Sequence, residues 1–124
     1  MSALTDAKAH LAKAREFLEA AELNNDRGLY NAATSNAVTS GINSKDAICL
    51  ALTGRTGKTE NHAEAMVELK ATGAVGRAQA TTFDRLLRLK PKSQYQAASI
   101  SASDTTKAIG WAARLLEAAE GVNL

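Results

Sequence analysis

Apolar residues recur at alternating spacings of three and four at the start of the chain: Leu4, Ala7, Leu11, Ala14, Leu18 and Ala21. That rhythm gathers them into one stripe along an α-helix. Ser2 or Thr5 is placed to cap its start, and the polar run Asn24-Asn25-Asp26 to end it. A second helix is expected from about Asp26 to Leu52, marked by small residues at four-residue steps, Ala33, Ala37 and Gly41, with Ser40 and Ser44 close by. Small side chains let another backbone approach closely, so this face is expected to pack against a partner helix or a second subunit. A glycine inside a helix costs roughly 1 kcal/mol relative to alanine, and close packing supplies a reason for Gly41.

Thr53-Gly54-Arg55-Thr56-Gly57-Lys58-Thr59 breaks the rhythm with two glycines and no large apolar residue, which predicts a loop. Asn61 followed by Glu64 resembles a capping box, so a third helix should begin near Asn61, bury Ala65, Met66 and Leu69, and end at Gly73. Val75, Ala78, Phe83, Leu86, Leu87 and Leu89 predict a fourth helix that ends before Pro91, the one proline, and a polar connection follows. The last helix is expected to start at Ser101 or Ser103, bury Ile109, Ala112, Leu116 and Ala119, and stop at Gly121. The fold class is therefore all-α, an antiparallel bundle of about five helices forming one domain over residues 1–124. Abundant alanine and scarce aromatics, Phe17, Tyr30, Phe83, Tyr95 and Trp111, suit close-packed helices better than sheets.

Composition narrows the function classes. No stretch is apolar for the length that a bilayer demands, and Met1 is followed by a short polar lead without a basic or apolar leader region, so a cytoplasmic protein away from membranes is expected. The net charge of +2 is uninformative as a total, but residues 53–95 hold eight basic and four acidic side chains, while the segments on either side are slightly acidic. Arg55, Lys58, Arg77, Arg85, Arg88, Lys90 and Lys92 supply that excess. They form either a phosphate-facing patch or a solvated face.

Candidate chemistry is sparse. Cys49 lies in the apolar run Ala47-Ile48-Cys49-Leu50, where a thiol acts as a small hydrophobe. His10 borders the first apolar stripe and reads as a surface or boundary residue. Two separated histidines and one cysteine offer no close set of metal ligands, and neither a metal nor a cofactor is expected. Gly57-Lys58-Thr59 ends like a phosphate-binding loop, yet Leu52 stands where the first glycine belongs and a helix precedes it, which argues against a nucleotide triphosphatase.

Ala14-Arg15-Glu16-Phe17-Leu18, Gly28-Leu29-Tyr30-Asn31-Ala32-Ala33, Ala37-Val38, Gly41-Ile42 and Lys45-Asp46-Ala47-Ile48 together resemble the first two helices of HEPN domains. The resemblance extends through the Arg55–His62 segment and helix three, over about residues 5–120. It implies a helical bundle, often a homodimer, and an RNA-binding or metal-independent RNA-cleaving protein, the toxin side of a toxin–antitoxin pair included, with a nucleotidyltransferase-like antitoxin as partner. The family's catalytic signature is an arginine followed at short range by a histidine; Arg55 and His62 fit it, with six residues between them. In that reading histidine moves a proton at the 2′-hydroxyl or the leaving oxygen, and arginine stabilises the phosphate charge. Lys58, Arg85, Arg88 and Lys92 would then hold RNA phosphates. Thr56 follows the arginine where catalytic members commonly carry Asn, Asp or His. Glu64 occupies the place of the tyrosine found in members modified by their partner. The competing expectation is a noncatalytic HEPN module that dimerises or docks a protein through Ala33, Ala37, Ser40, Gly41 and Ser44.

Overall fold

Ser2 opens the first helix from an extended backbone, and its hydroxyl accepts the Thr5 amide at 3.1 Å, satisfying one of the N–H groups that has no intrahelical partner. The computed structural model describes residues 2–57 and 61–123. In it α1 runs Ala3–Asp26 and buries Ala7, Leu11, Ala14, Leu18 and Ala21, while Leu4 stays exposed in the first turn. The helix takes up Asn24-Asn25-Asp26 and the chain reverses at Arg27-Gly28-Leu29, so α2 covers Tyr30–Thr53 and starts later than the sequence pattern predicts. Gly28 sits at φ +72, a conformation that a Cβ penalises, and this is why the break falls there. So short a connection makes α1 and α2 antiparallel neighbours.

The small-residue face of α2 is used entirely inside the chain. Ala33, Ala37, Ser40 and Ser44 are fully buried, and Gly41 is buried with them. The Ser40 hydroxyl donates to the Ala14 carbonyl of α1 at 2.7 Å. A Cβ on Gly41 would collide with Leu86 and press on Leu115, so its absence lets two further helices reach α2. Of the two partners expected for this face, a helix or a second subunit, the structure supplies the first: helices of the same chain.

After the Arg55–Gly57 segment, α3 spans His62–Lys70, with the Asn61 side chain accepting the Glu64 amide at 3.0 Å as the capping pattern predicts. It ends before Gly73, which instead precedes α4, Ala74–Leu87. The connection beyond α4 contains one more helical turn, α5, Lys90–Gln94, which has Pro91 in its first turn, where a missing N–H removes no helical bond. Gln94 Nε2 donates to Ser35 Oγ at 2.9 Å and the Ile100 amide donates to Asn31 Oδ1 at 2.8 Å, tying this stretch to α2. The last helix, α6, covers Ala102–Val122; Ser101 accepts the Asp104 amide at 3.0 Å and caps it. Its core face is Ala108, Ala112, Leu115, Leu116 and Ala119, with Ile109 only partly buried.

The described residues form no strand. Every other helix packs on α2, which makes it the central element, and Phe83, Ile48, Leu69, Leu86 and Leu115 are the largest side chains fully enclosed. No helix among the described residues is long and apolar enough to cross a membrane. Two buried hydroxyls on α2 are satisfied, Ser40 as above and Thr34 by donating to Thr105 at 3.1 Å. Ser44 Oγ is the exception, fully buried with no hydrogen-bond partner among the described residues. A buried hydroxyl left unpaired costs about 1–3 kcal/mol. Ser44→Ala is accordingly expected to stabilise the protein by about 1 kcal/mol, read as a higher denaturation midpoint at unchanged slope; a lower midpoint would mean that the hydroxyl is engaged.

Candidate functional site

Where α2, α3, α4 and α5 converge they leave a cleft of about 430 Å³. Its floor is apolar, with Ile42 from α2, Ala65 from α3 and Phe83 and Leu87 from α4. Lys45, Asp46, Asn61, His62 and Lys90 give it polar walls, and Pro91 and Tyr95 stand at the end formed by α5.

Lys45 is the unusual member, because it is only 2% exposed and a buried ammonium is stable only when paired. Its Nζ lies 2.7 Å from Glu68 Oε1 on α3 and 3.4 Å from Asp46 Oδ1, and it donates to Thr56 Oγ1 at 3.0 Å. Burial alone would pull its pKa down; the hydrogen bond to Glu68 and the charge of Asp46 outweigh that and raise it above its ordinary value. Thr56 in turn donates to Asp46 Oδ1 at 2.5 Å, so the segment after α2 is fastened to the wall of the cleft. On the far side of Asp46, His10 Nδ1 lies 3.8 Å from Oδ2 and 2.8 Å from Asn43 Oδ1. Asn43 Nδ2 donates to the Thr39 carbonyl, which fixes Oδ1 as the acceptor toward His10. His10 is thus a boundary residue, half-buried against α2. Nearby, burial pushes the Cys49 thiol up to about 11, so it stays protonated and behaves as a core residue.

His62 occupies the first turn of α3, and its Nε2 lies 2.8 Å from Asp84 Oδ1 on α4. Asp84 Oδ2 accepts from Arg88 Nε at 2.9 Å. The Arg88 guanidinium holds the Asp84 carboxyl below its ordinary pKa, against the opposing effect of burial and with help from His62. Asp84 is therefore ionised at neutral pH and can only accept, so His62 Nε2 carries a proton and Nδ1 is the nitrogen with acceptor capacity in the neutral ring.

The other residues singled out in the sequence are dispersed around this cleft. Arg55 is exposed and outside the lining, two residues before Gly57, which does line it. Lys58 lies outside the described residues. Arg85 is exposed on α4, Arg88 is engaged with Asp84, and Lys92 is half-buried on α5; none of the three lines the cleft.

A family model for the HEPN domain matches residues 7–122, nearly the whole chain. The chain belongs to the HEPN family. No curated protein matches it significantly. Within this HEPN domain the groups that organise the cleft are Lys45, Asp46, Glu68 and Asp84, and the sequence pattern assigned none of them a role. For Lys45 and Asp46 a signal was present, two charges set on the otherwise buried face of a helix that continues Ala47-Ile48-Cys49-Leu50. For Asp84 there was none, because an acidic residue one turn before Arg88 looks like an ordinary surface pair.

Proposed function

We propose that this HEPN domain binds RNA at the cleft and cleaves it without a metal ion, His62 moving the proton. The observation that carries the reading is the His62–Asp84 hydrogen bond at the wall of the cleft between α2, α3, α4 and α5. Asp84 orients the imidazole through Nε2, which leaves Nδ1 to take the proton of a 2′-hydroxyl as it attacks the adjacent phosphate. The 5′-oxygen departs and takes a proton from water, the imidazole gives the proton it gained back to solvent, and the product end is a 2′,3′-cyclic phosphate. Arg55, on the exposed segment leading into Gly57, meets the phosphate from the rim, and Lys58, Arg85, Arg88 and Lys92 act on neighbouring phosphates. A homodimer, as the family resemblance implies, would form on a surface other than the internal small-residue face of α2. Pairing with a nucleotidyltransferase-like antitoxin belongs to the same reading.

The position of Arg55 outside the lining favours the competing role, a noncatalytic binding module. Mixed RNA incubated in chelator separates the two. Wild type is expected to cleave, His62→Ala to lose at least about a hundredfold in rate, and Asp84→Asn to fall about tenfold by releasing the ring. Arg55→Ala should weaken cleavage too. Intact RNA with wild type, or equal rates with and without His62, would leave only the binding role.

A further inference from the structure

We infer that Tyr95 is a stacking platform for one unpaired RNA base at the mouth of the cleft, an inference that rests on the RNA reading above. Of the five aromatic residues, Phe83 is enclosed in the core, Phe17, Tyr30 and Trp111 are partly buried, and Tyr95 is 69% exposed. Single exposed apolar side chains are ordinary, and what sets this one apart is its place. The other large apolar residues left exposed, Leu4, Leu23, Leu29, Leu52 and Val67, all lie away from the cleft, whereas Tyr95 lines it.

Its position is also fixed. The Tyr95 amide donates to the Pro91 carbonyl at 2.8 Å, closing α5, and the Gln94–Ser35 hydrogen bond holds α5 to α2. An aromatic ring with two side-chain torsions on an anchored backbone offers a flat apolar face at small entropic cost. Beside it Pro91 and Leu87 continue the apolar surface. A space of about 430 Å³ has room for one nucleotide and not for a duplex, so the base it receives is one already out of a helix. His62 lines the same cleft as Tyr95.

The test is fluorescence anisotropy with a labelled single-stranded 2′-O-methyl RNA, which cannot be cleaved, so that binding is read without turnover. Tyr95→Ala is expected to weaken binding about tenfold, and Tyr95→Phe to bind within about twofold of wild type, because stacking uses the ring and not the hydroxyl. Oligonucleotides with an abasic site moved along the strand should reveal one position that costs wild type about the same tenfold and costs Tyr95→Ala nothing. Equal binding by wild type and Tyr95→Ala overturns the inference and leaves RNA binding standing; so does a Tyr95→Phe protein as weak as the alanine variant. Absence of any RNA binding by wild type overturns the RNA reading and this inference together. Tyr95-dependent binding by a protein that cleaves no RNA upholds the platform and removes only the chemistry.

Discussion

Lys45→Met is expected to destabilise the protein by about 3 kcal/mol, although methionine matches the length of the buried stem. Lys45 Nζ sits between Glu68 and Asp46, at 2.7 and 3.4 Å, and their side chains are 31% and 14% exposed. Removing the ammonium leaves two carboxylates across a partly dry space without the cation between them, and the hydroxyl of Thr56 loses a partner. The loss comes from stranding the partners; it is not the net value of the pair, so Lys45→Met combined with Glu68→Gln should recover part of it. Urea denaturation measures both variants, and an unchanged midpoint for Lys45→Met would show that the ion pair contributes nothing. The same group sets an alkaline limit. Its pKa is higher folded than the unfolded value of 10.5, so its contribution is complete below pH 10.5 and is lost as pH rises through the folded value. Wild type should lose stability above about pH 10.5 by an amount that the methionine variant lacks.

Ala37→Glu is expected to prevent folding at 25 °C. Ala37 has no exposed surface, and it lies on the α2 face where Ser40 reaches the Ala14 carbonyl and Gly41 admits Leu86 and Leu115. A glutamate there introduces both volume and an unpaired charge into a filled space, and either alone costs several kcal/mol against a typical total of about 5–15. Circular dichroism should show the loss of helix. A folded monomer of Ala37→Glu, obtained from a dimeric wild type, would instead mark this face as an interface between subunits.

Much of the architecture was readable from short-range pattern. Ser2 with Thr5, Asn61 with Glu64 and Ser101 with Asp104 are capping pairs three residues apart, and each starts a helix where the sequence placed one. The apolar stripe of α1 is buried from Ala7 onward as its spacing predicts. Errors gathered where two local signals compete. Gly73 reads equally as the end of one helix or the start of the next, and Pro91, taken as a stop, suits the first turn of α5. The small residues of α2 signalled a close approach correctly, but spacing alone carries no information on whether the approaching helix belongs to the same chain.

The sequence by itself determined the helical class, most helix starts and the faces that enter the core, because each depends on neighbours within a turn or two. The tertiary structure alone decided which charges meet. Lys45 finds Glu68 across 23 residues and His62 finds Asp84 across 22, and Arg88 is paired with Asp84. Such pairs arise only when separate helices have docked, and the distances that make a charge stable, reactive or inert are then set by packing, of which a linear pattern holds no trace.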